Sequence, residues 1–279
     1  MPIFRTSSLF HYTSSIDRLQ SILLKGLIPN YCKEDLSTSR NLQDCIGIPM
    51  VSFCDIPLTR TTQFTSRYGY YAIGLSKKWA LLKRVNPILY IEDENILSSL
   101  KFYKNFEFLL KDRIEKRGGT TESMPISLTL GEHPEIADFV QYHSTHSANM
   151  IINGFIKKYT GSHNGVEQVN YEENEWRYIV SENVDIPWMW SADEYEKWRG
   201  LNKNKPEPSN KMQEHRISFE VKDITHLLVH HDSDIETMIN YIEKQTFVSQ
   251  DYKLSHEDKC LLYSKLISIC LLYTSDAAD

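Results

Sequence analysis

Period-two alternation of side chains recurs in six short segments, and a long helical stretch separates the first four from the last two. "LFHYT", "VSFC", "YYAIGL" and "ILYI" all lie before residue 92, whereas "EWRYIV" and "SFEV" lie after residue 174. Alternation places successive side chains on opposite faces of a strand, so each segment can bury one face in a sheet. Between the two groups, residues 93–160 read as helix, with apolar positions Ile96, Leu97, Leu100, Tyr103, Leu110 and Ile114 along a stretch that ends before "GGTT". Strands so far apart in sequence specify one α+β domain with a helical insertion at about 93–160, and helix 93–116 is expected outside the sheet. No internal repeat suggests an array or a second domain.

The opening residues show the change of period directly. Leu9, His11 and Thr13 alternate with Phe10 and Tyr12, and then Ile16, Leu19, Ile22 and Leu23 recur at helical spacing. Ser14, with Asp17 three positions on, reads as the N-cap pair, and Gly26 as the C-cap. "KKWALLKR", "PEIADFV", "SANMIINGFIKKY", "DIETMINYIEK" and "HEDKCLLYSKLISI" read as further helices.

Composition narrows the function classes. The 279 residues are 41% hydrophobic, enough for a full core, and the formal charge of −6 supplies no basic face for non-specific nucleic-acid binding. Five cysteines without a CxxC spacing suggest neither a disulfide framework nor a zinc site, which points to the reducing cytoplasm. No stretch approaches the run of about 18 apolar residues that a membrane span requires. The last ten residues, "CLLYTSDAAD" (270–279), resemble the translation of a sequencing-library adapter, so the native domain is expected to span 1–269.

The segment "NYEENEWRYIV" carries the densest charge. Strand alternation puts Asn174, Trp176, Tyr178 and Val180 on one face, and Glu173, Glu175, Arg177 and Ile179 on the other. Two carboxylates and a guanidinium on one face either tie the sheet together as an ion-pair cluster or line a site that uses them.

Read together, "LFHYTSSIDRLQSILLKGLIP", "VSFCDIPL", "YGYYAIGLSKKW", "NPILYI" and "YEENEWRYI" resemble, in this order, the bacterial abortive-infection family AbiGi. The resemblance covers most of residues 8–91 and 165–232. It implies the antitoxin half of a phage-resistance gene pair, and hence a cognate toxin as partner. A looser similarity is to ADP-ribosyltransferase-like folds, in which a split β-sheet presents a histidine on its first strand and a glutamate on a late strand to the nicotinamide ribose of NAD. That resemblance implies His11 and Glu175 as catalytic residues. It also implies a cofactor site of His11, Thr13, Ser52, Tyr68, Tyr70, Tyr71, Glu173 and Arg177, with a tyrosine facing the nicotinamide and Glu175 stabilising an oxocarbenium-like ribose. A protein that kept the scaffold and neutralises a partner through its surface is the competing reading.

The remaining candidates are weaker. His143 and His146, and the group His226, His230, His231, Asp232 and Asp234, have too few ligands at metal spacing and read as polar surface. Trp188, Trp190, Tyr195 and Trp198 read as aromatics packing a loop onto the core.

Overall fold

A computed structural model describes residues 6–38, 45–100, 102–116, 134–163, 166–182, 185–201 and 210–270. Strand β1 (Ser8–Thr13) leads into helix α1 (Ile16–Lys25), followed by β2 (Asn30–Asp35), β3 (Cys45–Cys54), α2 (Thr62–Tyr68), β4 (Tyr71–Ser76) and α3 (Lys77–Leu82). Next come β5 (Asn86–Pro87), β6 (Leu89–Ile91) and the helices α4 (Glu94–Leu100), α5 (Phe102–Lys116) and α6 (Pro134–Gly154). Short strands β7 (Ile156–Lys158), β8 (Thr160–His163) and β9 (Val166–Val169) precede β10 (Glu175–Ile179). The chain continues through α7 (Ala192–Leu201), α8 (Asn210–Glu214), β11 (Ile224–Val229), α9 (Asp232–Lys244), β12 (Phe247–Val248), β13 (Tyr252–Lys253), α10 (His256–Tyr263) and β14 (Leu266–Ser268).

The α+β class follows the alternation, and the main sheet runs β14-β11-β4-β1-β3-β10-β5, with β2 also pairing β3. It is mixed, because β11 and β14 are parallel while its other pairs are antiparallel. The feature that positions the site is on β3. One edge of β3 is occupied by β10 along Met50–Cys54. The opposite edge takes β2 along Cys45–Met50 and then β1 at the single pair Phe10↔Cys54. Between these two partners the edge at Val51–Phe53 has no paired strand among the described residues, and there the His11 imidazole donates from Nδ1 to the Ser52 carbonyl at 2.8 Å.

Each face of the sheet has its own core. Leu9, Val51, Phe53, Ile73, Leu75 and Leu227 pack one face against Leu19 and Leu23 of α1, Trp79 of α3, Met238 and Ile242 of α9 and Leu262 of α10. On the other face Ile46, Ile48 and Met50 meet Ile91, Leu97, Ile156 and Trp188. Trp188 is buried and its indole donates to the Val180 carbonyl, so this tryptophan does pack its loop onto the core.

Several local expectations shift. The α1 N-cap is Ser15, accepting from Arg18 N, not Ser14, while Gly26 does cap the other end at φ 83°. The stretch 93–116 is two described helices, α4 and α5, and the helical block closes at Gly154 rather than near 160. Residues 156–158, read as helix, instead pair in parallel with β6, so "ILYI" leaves the main sheet for a separate two-stranded one. "SFEV" is not a strand: only Ile217 bridges, to Leu27, and a capping box at Glu220 and Asp223 starts a 3-10 turn at Val221. "KLISI" forms β14 instead of extending α10.

Candidate functional site

Glu175 and Arg177 do share a face of β10, opposite Trp176 and Tyr178, which pack against the α1 and α3 side. Glu173 is not on that strand. It ends a 3-10 turn, and Asn174 adopts left-handed backbone (φ 42°, ψ 55°) before β10 begins. Asparagine tolerates this conformation better than most side chains. The kink still delivers Glu173 to the cluster, through Lys157 of β7, whose ammonium lies 2.9 Å from Glu173 Oε2 and 2.9 Å from Glu175 Oε2.

The Glu175 carboxylate is gripped from two sides. Arg177 Nε donates to Oε1 at 2.7 Å and its terminal nitrogen donates to Oε2 at 3.1 Å, a bidentate pair. The same guanidinium reaches Glu34 Oε1 of β2 at 2.8 Å and donates to the Gly154 carbonyl at 2.9 Å. Tyr68 donates to Glu173 Oε1 at 2.6 Å, with Arg67 3.8 Å from that oxygen. The Tyr90 hydroxyl accepts from the backbone N–H of Glu175. Three carboxylates, the buried Arg177 and the partly buried Lys157 therefore interlock β2, β7, β10 and the end of α6.

Burial sets the electrostatics of this cluster. It would raise the Glu175 pKa, but Arg177 and Lys157 outweigh it and hold the carboxyl well below the usual range. For Glu34 burial wins over the attraction of Arg177, and its pKa rises. Burial disfavours the charged forms of Arg177 and Lys157, yet the surrounding glutamates keep both firmly protonated. His11 is pushed towards the neutral form by burial, only partly offset by its bond to Ser52. The Cys32 thiol rises to about 12 and that of Cys54 also climbs, both through burial first.

A pocket of about 380 Å³ opens above this network at the gap on β3. Five of the expected residues line it: His11, Ser52, Tyr68, Glu173 and Glu175. Arg177 lies beneath, fully buried against Glu175. The other three do not reach it. Thr13 is buried at the end of β1 opposite Tyr71, Tyr70 stacks on His230 at 4.0 Å, and the Tyr71 hydroxyl donates to Asp234. A larger cavity of about 630 Å³, lined by Lys33, Lys158 and the β8–β9 hairpin, adjoins the first across Glu34, Tyr68 and Lys157. Glu34, Lys157, Cys32 and Cys54 were not foreseen. Cys32 and Glu34 do sit at i, i+2 in "NYCKED", a spacing that marks one strand face.

His146 is taken up by Glu107 and Glu182. His230, His231 and Cys270 bring ligand atoms within 4.8 Å of one another.

Fold and site together define a mixed α+β domain with a charged pocket at an opening in its sheet, and no helix among the described residues is long and apolar enough to cross a membrane. Residues 25–230 match the family model described as "Putative abortive phage resistance protein AbiGi, antitoxin". The chain belongs to the AbiGi family. It is similar to an abortive phage resistance protein AbiGi of Lactococcus lactis subsp. cremoris, at 22% identity over 233 residues, covering 79% of this chain and 85% of the relative. No solved structure matches.

Proposed function

We propose that this protein is the antitoxin-side component of a phage abortive-infection pair and acts by binding a toxic protein encoded beside it in the cytoplasm. The family match supports the setting. The observation that favours binding over catalysis is the state of Glu175: both of its oxygens are held by Arg177 and Lys157, as in a structural ion-pair cluster. A carboxylate committed in this way has less freedom to answer charge developing on a substrate. The test is co-expression with the product of the neighbouring gene. Growth should be arrested by that product alone and rescued by this chain, and the two proteins should co-purify. A neighbour without toxicity, or toxicity unrelieved by this chain, would end the proposal.

A second reading is kept alive by one observation, the gathering of His11, Ser52, Tyr68, Glu173 and Glu175 around one pocket. In this reading the fold is ADP-ribosyltransferase-like, NAD occupies the pocket, His11 contacts a ribose hydroxyl, and Glu175 supports cleavage of the nicotinamide bond. It requires NAD consumption by the wild-type protein, which the first reading does not.

A further inference from the structure

His146 sits where three parts of the chain meet. Glu107 comes from α5, His146 from α6, and Glu182 from the segment after β10. The imidazole Nδ1 lies 2.6 Å from Glu107 Oε1, and Nε2 lies 3.4 Å from Glu182 Oε2. A neutral imidazole carries one N–H, so only the imidazolium can present a proton to both carboxylates.

Each carboxylate is also anchored elsewhere, so neither can swing away without cost. Asn149 donates to Glu107 Oε2 at 2.5 Å. Glu182 Oε1 accepts from the Trp188 backbone at 3.1 Å and from the Trp190 indole at 2.9 Å. Glu182 Oε2 is buried without a hydrogen bond among the described residues, and the imidazolium is the cation it faces. Tyr142 stacks on the imidazole at 5.8 Å, and Lys111 of α5 is the charge that opposes its protonation. Further along α6, Met150 and Ile152 pack on the Ile46, Ile48 and Met50 core and Gly154 lies close to Ile179.

We propose that protonated His146 is a pH-sensitive clamp holding α5 and the first half of α6 against the segment after β10, and that this part of the molecule loosens when the imidazole loses its proton. The hydrogen bond to Glu107, against an opposing contribution from burial, raises the His146 pKa in the folded protein. A raised histidine pKa means that the clamp is complete below the unfolded value of about 6.5 and is lost as pH rises through the folded value.

Hydrogen exchange followed by mass spectrometry between pH 5.5 and 8.5, on the full chain and corrected for intrinsic exchange, tests this. Protection of α5 and the first half of α6 should fall by about fivefold as pH rises, in line with a partly buried ion pair, while α1 and β11 stay constant. His146→Gln should show the low protection at every pH. Glu182→Gln keeps the imidazole, and should shift the transition to lower pH, which NMR titration of the His146 ring reads independently if His146→Gln folds poorly. Protection of α5 that does not change with pH in the wild type, or that changes equally in His146→Gln, would overturn the clamp.

Discussion

Arg177 and Glu175, two positions apart on one face of β10, are joined by two hydrogen bonds while Arg177 is 0% exposed. Glu175 lines the pocket while Arg177 lies beneath it and binds Glu34 and the end of α6 as well, so the sheet opening and the ionic cluster are one construction. Removing one partner from such a pair strands the other charges, which typically costs about 3–5 kcal/mol. Arg177→Met should lower the unfolding free energy by that amount in urea denaturation, because Glu34 and Glu175 would lose their buried guanidinium and keep only the partly buried Lys157 nearby.

The two glutamates on Arg177 should respond oppositely to pH. Glu175 has its folded pKa depressed, so the stability it contributes is present above the unfolded value of about 4.3 and is lost as pH falls through the folded value. Glu34 has its folded pKa raised, so its contribution is present below that unfolded value and is lost as pH rises through the folded one. Glu175→Gln should therefore flatten the acid limb of the stability profile. Glu34→Gln should keep that limb, because the Glu34 contribution is lost towards high pH instead.

Gly69, at the C-terminus of α2, holds α2 close to the end of β1. Its φ is 105°, and a Cβ there would lie 2.2 Å from the Thr13 carbonyl oxygen. Neither the conformation nor the contact can relax without moving backbone. Gly69→Ala should destabilise by about 2–3 kcal/mol and lower the thermal midpoint.

Thiol reactivity should divide the cysteines. Cys32 and Cys54 line the pocket, yet burial keeps both thiols protonated, Cys32 with a pKa near 12. A thiolate is the reactive form. An aromatic disulfide reagent should modify exposed Cys260 quickly and reach Cys32 and Cys54 only in denaturant.

Much of the sheet is legible in the sequence because β1, β3, β4 and β10 are short runs rich in apolar and aromatic side chains ("LFHYT", "VSFC", "YYAIGL" and "EWRYIV"), although β3 and β4 are buried on both faces and alternation of burial is plain only in β10. β2 leaves a fainter trace, since "NYCKED" buries only Glu34, and β7 is short enough to read as the tail of α6. Those two strands carry Glu34 and Lys157, so the charged face of β10 was visible while its partners were not. Tyr70 and Tyr71 fell outside the pocket for a related reason. Tyr70 precedes and Tyr71 begins β4, two strands away from β3, and the β1–β4 register aligns Tyr71 with Thr13. Glu173 reached the cluster by a route that alternation does not encode, the left-handed turn at Asn174.

Glu175→Gln, compared with wild type for NAD turnover, urea denaturation and rescue of growth from the neighbouring gene product, tests the central claim most directly. A structural role for Glu175 predicts no NAD consumption by the wild type, a loss of about 3 kcal/mol of stability in the variant, and rescue that declines only as far as the folded population does. Wild-type NAD consumption that vanishes in a variant of undiminished stability would contradict it, and would make Glu175 a catalytic carboxylate.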